Sequence, residues 1–370
     1  MRSGTTKTLA LVAVFSSMAS FAAAADTIKI GFVAPITGAA ASFGKETVGA
    51  VRMVVAKTNA GGGVLGEKIV LVETDDACDP TQGTAAASKL VSSGVIAVVG
   101  GMCSGAVVPA LKIYGDAHVP FVIVAANSTK IVAANPGNAF LVNSTGDAQT
   151  LTAMTLFAQK GIKTLAVVDE GDAFSADLSA IAQTQFKASG GKVVDAETTA
   201  KGEQDFSALV TRITAAKADA VYWTAYQDGG ALLVKQLRRS GYQGLIALSD
   251  GSNAPDLFTV VGSAVNGAYV FGPTPLKDLP RGAAFSADFA AATGDAPGNY
   301  SALAYDAAEV LLDAIKAAGT TEGEAIVKAL KGTRYEGIAG PIAFTEKNTL
   351  VGSNFIALVA HGGALSVPQK

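Results

Sequence analysis

Histidine and cysteine each occur twice in the 370 residues, and tryptophan once. His118 and His361 stand far apart with no other ligand-type cluster around them. That leaves no metal site to assemble and no base for a nucleophile. Charged residues make up only 16% of the chain and the formal net charge is −3, so there is no basic surface to attract nucleic acid or an anionic membrane. Past the first residues, no apolar run reaches the ~18 positions needed to span a bilayer. What the chain has in quantity is aliphatic residues, alanine and glycine. Hydrophobic residues account for 49%, enough for two helix-covered sheets, each with its own core.

Residues 1–25 read as a secretory leader: Arg2 and Lys7 precede an apolar core starting at Leu9, and Ala23-Ala24-Ala25 forms an A-x-A cleavage site before Asp26. The mature chain is therefore expected in the periplasm, cleaved after about Ala25, and without a lipid anchor because no cysteine lies near the cut. In an oxidising compartment the default reading of Cys78 and Cys103 is a disulfide, and both follow predicted strand ends.

The stretch Val95–Gly115 reads as buried strand, glycine turn and amphipathic helix. It sets Ser104 at a helix N-terminus above the C-terminal edge of a parallel sheet, where open α/β sheets take ligands and helix starts attract anions. Ser104 is thus expected to form half of a carboxylate site. Strands are predicted over 28–33, 68–74, 121–125 and 139–144, with helices over 44–59 and from Pro80, the latter capped by Asp79. The turn Gly38–Gly44 superficially suggests a phosphate loop. It is one residue too long, and Lys45 is followed by Glu46 instead of Ser or Thr. Ala126-Asn127-Ser128-Thr129 again brings polar groups to the sheet edge.

The pattern then restarts. Strands over 164–168, 193–198, 220–223 and 245–248 alternate with helices and end in Asp169-Glu170-Gly171-Asp172, Ala225-Tyr226-Gln227-Asp228 and Ser249-Asp250-Gly251. The first of these acidic clusters reads as a solvated loop. Two βα series of similar size imply an α/β protein of two doubly wound, Rossmann-like lobes. Gly272-Pro273-Thr274-Pro275 marks a crossover between them. Helices over 283–293, 301–318 and 321–330 and strands over 341–344 and 354–359 complete the chain.

Three segments together, Thr74–Pro80, Gly100–Pro109 with Cys103-Ser104, and Lys201–Phe206, resemble the periplasmic leucine/isoleucine/valine-binding proteins, the cluster B type I substrate-binding proteins of ABC importers. The resemblance covers essentially the whole mature chain. It implies the type I periplasmic binding protein fold, with three crossovers near Thr145, Pro273 and Thr345. The first lobe would comprise 26–145 and 273–345, the second 146–272 and 346–370. It further implies a monomer that takes up a small amino acid, branched-chain or otherwise aliphatic, and delivers it to an ABC permease in the inner membrane, with no catalysis, metal or cofactor. By the same resemblance the ligand's α-carboxylate is held by Ser104, the Ala125 backbone and Asn127, and its α-ammonium by Asp250 and Tyr226. Phe43, Phe174 and Tyr300 would line the side-chain pocket. Asn127 stands where many relatives carry Thr or Ser, and Asp250 where the best-known relatives carry Glu.

The physics of a buried zwitterion agrees. Each of its charges must be matched once water is removed. Neutral donors at helix starts suit the carboxylate, and an acid suits the ammonium. Other readings remain open. Ser104, Asn127 and Asp250 could be plain helix or strand-end caps. The same fold could bind an amide, urea or an aromatic acid. A hydrolase using Ser104 would lack its base, and a sensor ectodomain would need a separate output partner.

Overall fold

The computed structural model describes residues 27–254 and 256–368. The expected leader lies outside them.

The first sheet arises from alternating strands and helices: β1 (Thr27–Ala34), α1 (Ala41–Ala60), β2 (Lys68–Asp75), α2 (Pro80–Ser92), β3 (Ala97–Gly100), α3 (Ser104–Asp116), β4 (Phe121–Ile123), α4 (Thr129–Ala134) and β5 (Ala139–Leu141). All its strands are parallel, in the order β2-β1-β3-β4-β5. The near-continuous apolar runs are explained by burial on both faces. Ile28, Ile30, Phe32, Ala97, Val99 and Val122 face one core, and Val33, Val98, Phe121 and Ile123 the other.

After α5 (Gly146–Gln159) a second sheet follows: β6 (Thr164–Asp169), α6 (Ser175–Ala188), β7 (Lys192–Thr198), α7 (Ser207–Ala215), β8 (Ala220–Trp223), α8 (Gln227–Arg239), β9 (Leu245–Leu248), α9 (Asp256–Val261) and β10 (Tyr269–Gly272). The chain then returns to the first lobe as α10 (Gly282–Thr293), α11 (Ser301–Ala318) and α12 (Gly323–Lys331), whose apolar faces join the core beneath β1. A short hairpin, β11 (Tyr335–Glu336) with β12 (Pro341–Ile342), precedes the last crossing into β13 (Ile356–His361) and β14 (Ala364–Ser366). The second sheet runs β14-β13-β10-β9-β8-β6-β7, parallel from β7 to β10 and antiparallel beyond. Its two cores again split by alternation: Ala166, Val168, Val221 and Trp223 against Leu165, Val167, Ala220 and Tyr222.

The parallel strands of both sheets share one order, with the switch in direction between β1 and β3 in one and between β6 and β8 in the other. The crevice outside the strand ends at such a switch is where α/β sheets take ligands. Two of the crossing segments are stitched together where Ser144 and Asn354 exchange hydrogen bonds: Ser144 Oγ donates to Asn354 Oδ1 at 2.7 Å, and the Asn354 N–H donates back to Ser144 Oγ at 2.9 Å.

Asp79 caps α2, its carboxylate accepting the N–H groups of Thr81 and Gln82 at 2.9 Å each. Two expectations need correction. Tyr269–Gly272 is a strand that the sequence reading left out. The Asp169–Asp172 turn is not a solvated loop. Asp169 is buried and its Oδ1 accepts the Gly171 N–H, while Asp172 accepts the N–H groups of Phe174 and Ser175 and so shapes the entry to α6. Burial pushes the Glu170 carboxyl up to about 7.

Candidate functional site

The site starts from a turn. Gly100 and Gly101 leave β3 with φ of +133° and +77°, a conformation that side-chain-bearing residues rarely adopt. This reversal carries Cys103 to the N-cap of α3 and Ser104 to its first residue, so Ser104 is not itself the cap. The Ala106 and Val107 N–H groups return to the Cys103 carbonyl, and those of Ser104 and Gly105, in the first turn, have no partner within the helix ladder. Cys103 is bonded to Cys78, with Cα atoms 5.3 Å apart, so the turn after β3 is tied to the loop after β2. That second loop is pinned from within: Asp76 is buried and accepts the Cys78 N–H at 2.9 Å, and burial pushes its carboxyl up to about 6.

The loop after β4 closes over Ser104. Its Oγ accepts the N–H groups of Asn127 and Ser128 at 3.3 and 3.2 Å, leaving the hydroxyl hydrogen free to donate. The Ala125 N–H is already committed to Gly101 O at 3.1 Å, and its carbonyl accepts Asn143 Nδ2 at 2.9 Å. Both backbone groups of Ala125 are therefore already engaged within the first lobe.

Opposite stands Asp250, just past β9 and fully buried. Asn127 Nδ2 donates to its Oδ2 at 2.9 Å, and Tyr300 OH reaches the same oxygen at 3.4 Å and the Asp250 carbonyl at 3.1 Å. With its side-chain amide turned to match its neighbours, Gln149 on α5 donates its amide nitrogen to Oδ1 at 2.8 Å and accepts the Asp250 N–H at 2.9 Å. Despite these donors, loss of solvent pushes the Asp250 carboxyl up to about 7. Asn127 Oδ1 is buried without a partner. An unsatisfied acceptor beside a buried acid suits a donor of positive charge.

Phe43, Ser104, Ala125, Asn127, Phe174, Tyr226, Asp250 and Tyr300, the whole expected set, line one small cavity between the lobes. The aromatic members pair across it, Phe43 edge-on to Tyr300 at 5.7 Å and Phe174 tilted against Tyr226 at 5.2 Å. Met102, Cys103, Ala126 and Gly251 also line it and were not assigned to it from the sequence. Cys103, Ala126 and Gly251 are chain neighbours of residues that were, which is the signal that would have found them; Met102 lies two positions before Ser104. Gln149 had no such signal, since its partner, Asp250, is distant in the sequence and adjacent only in the fold. No Lys, Arg or His is among the lining residues. Among the described residues, no cluster of His, Cys, Asp and Glu could hold a metal ion.

The periplasmic binding protein family matches residues 27–363. The chain belongs to that family. This periplasmic binding protein is 29% identical over the full length of both chains to the leucine-, isoleucine-, valine-, threonine- and alanine-binding protein of Pseudomonas aeruginosa. It superposes on a leucine-binding protein from Thermotoga maritima with a TM-score of 0.86 at 28% identity, covering 92% of this chain and 98% of that one. A solute-binding protein of an ABC transporter from Rhodopseudomonas palustris, in complex with 3,4-dihydroxybenzoic acid, matches with a TM-score of 0.81 at 25% identity, covering 92% and 95%. These relatives are binding proteins, and this chain shares their two-lobed type I fold with its parallel sheets.

Proposed function

We propose that this periplasmic binding protein is a receptor for a small zwitterionic amino acid, aliphatic in its side chain, that it carries to a membrane permease without chemical change. The observation that carries the reading is Asp250: a buried carboxylate on one lobe, with no cation among the cavity's residues, facing hydroxyl and helix-start donors on the other. An α-ammonium is the missing counter-charge. The unpartnered Asn127 side-chain oxygen supplies a further acceptor for its N–H groups. The α-carboxylate fits the Ser104 hydroxyl and the first-turn N–H groups of α3. Asn127 thus serves the ammonium rather than the carboxylate, a reassignment from the role its position suggested. The rings of Phe43, Phe174, Tyr226 and Tyr300 offer an apolar wall for an aliphatic side chain. A hydrolytic reading gains nothing here, because Ser104 Oγ is engaged by backbone N–H groups and the carboxyl in the lining, Asp250, is hydrogen-bonded to Asn127 and Tyr300 and not to the serine.

The dihydroxybenzoate-bound relative favours one other reading, an aromatic acid. Such a ligand would set no cation against Asp250. Calorimetric titration of the purified mature protein with leucine, alanine, an amide and 4-hydroxybenzoate separates the two. Leucine or alanine should bind in the micromolar range or tighter, about −8 kcal/mol. Binding of the aromatic acid alone would overturn the proposal.

A further inference from the structure

The lobes also meet away from the cavity. Asp177, in the first turn of α6 on the second lobe, reaches the start of α4 on the first. Its Oδ2 accepts the Thr129 N–H at 2.7 Å and the Ser128 hydroxyl at 2.8 Å, and the Thr129 hydroxyl lies 2.8 Å from Oδ1. Asp177 is not among the residues lining the cavity. One carboxylate therefore takes up three donors across the gap, and hydrogen bonds to an ionised acceptor are stronger than the neutral Gln227–Ala39 and Asn299–Asn253 contacts that also bridge the lobes.

The contact leads into the site through one residue. Ser128 Oγ donates to Asp177 and accepts the Lys130 N–H, capping α4, while the Ser128 N–H donates to Ser104 Oγ. Asp177 is thus linked to the Ser104 hydroxyl through a single residue, Ser128.

We infer that Asp177 is a positioning residue, a latch that holds the cleft shut by capping a helix of the opposite lobe and so sets how long the ligand is retained. Its ligand-binding consequence rests on the amino-acid reading; its effect on the lobes does not. A ligand whose contacts are completed only when the lobes meet loses apparent affinity in proportion to the closed fraction.

The test uses the mature protein and its Asp177→Ala and Thr129→Val variants, with leucine as the probe, read by stopped-flow binding, small-angle scattering and amide hydrogen exchange. Asp177→Ala should weaken leucine binding about tenfold, the worth of a charged hydrogen-bond set, with the change in the dissociation rate. It should also enlarge the radius of gyration of the free protein and speed exchange at Thr129. Thr129→Val, made on the other lobe, should shift all three in the same direction by less, and adding it to Asp177→Ala should add little. Unchanged radius and unchanged Thr129 exchange in Asp177→Ala would overturn the latch, whatever leucine does. If the natural protein takes up no leucine, the ligand assignment fails while the scattering and exchange comparison still decides the latch.

Discussion

At the scale of single residues, the account turns on the cost of burying Asp250. Loss of solvent raises its carboxyl to about 7, so near neutrality the group is divided between acid and carboxylate. An ammonium binds the ionised form and lowers that value, so uptake of an amino acid releases a proton. Affinity should therefore fall as pH drops through 7 towards 5, by at most tenfold per unit. An aromatic acid would show the opposite slope, binding better as Asp250 gains its proton. Titrations at pH 5.5 and 8 in buffers of different ionisation enthalpy check both the slope and the proton. Asp250→Ala should cost roughly 2 kcal/mol or more at pH 8 and flatten the pH dependence, because it strands a buried ammonium. Affinity that keeps its pH slope in Asp250→Ala would remove this residue from the site. Ser104 could be placed from the strand, turn and helix pattern around it, whereas Phe43, Phe174, Tyr226 and Tyr300 came only with the resemblance to the family. The hydrogen bond from Asn127 to Asp250 was not, since it joins side chains from two lobes.

At the scale of elements, strands and helices whose burial pattern is local were legible. β1, β2 and β6 are apolar runs flanked by turn residues, and Asp79-Pro80 announces α2. β10 was not legible. Its four residues lead straight into Gly272-Pro273, and its partners β9 and β13 are supplied by distant parts of the chain. β14 carried a signal that went unread: Gly362-Gly363 is a two-residue hairpin loop between antiparallel strands. β3 begins at Ala97, later than its apolar run suggests, because Val95 and Ile96 lead in and the Ile96 N–H bonds Lys29 O before the ladder starts. The Cys78–Cys103 bond joins two such strand ends under Ser104. By the chain-entropy account, replacing both cysteines with alanine should lower stability by about 3 kcal/mol. Because the bond ties the turn that carries Ser104 to the loop after β2, leucine binding should weaken as well. Urea unfolding measures the first effect and titration the second. Full affinity in a destabilised variant would show that the bond serves the fold alone.

At the scale of the whole molecule, two sheets of the same strand order face each other across one cavity, and each supplies half of the site. The repeat of the βα pattern made this arrangement legible, because the chain restarts its strand series after β5. The degree of closure was not, since it depends on contacts such as Asp177 with Thr129 that no local pattern encodes. The central claim is that a zwitterion is held with its two charges on opposite lobes. A crystal structure of the protein with its amino acid tests it most directly. The expected result is the ligand nitrogen about 3 Å from Asp250 and its carboxylate at the same distance from Ser104 and the start of α3. A ligand seated outside the cavity, or one whose carboxylate faces Asp250, would contradict it.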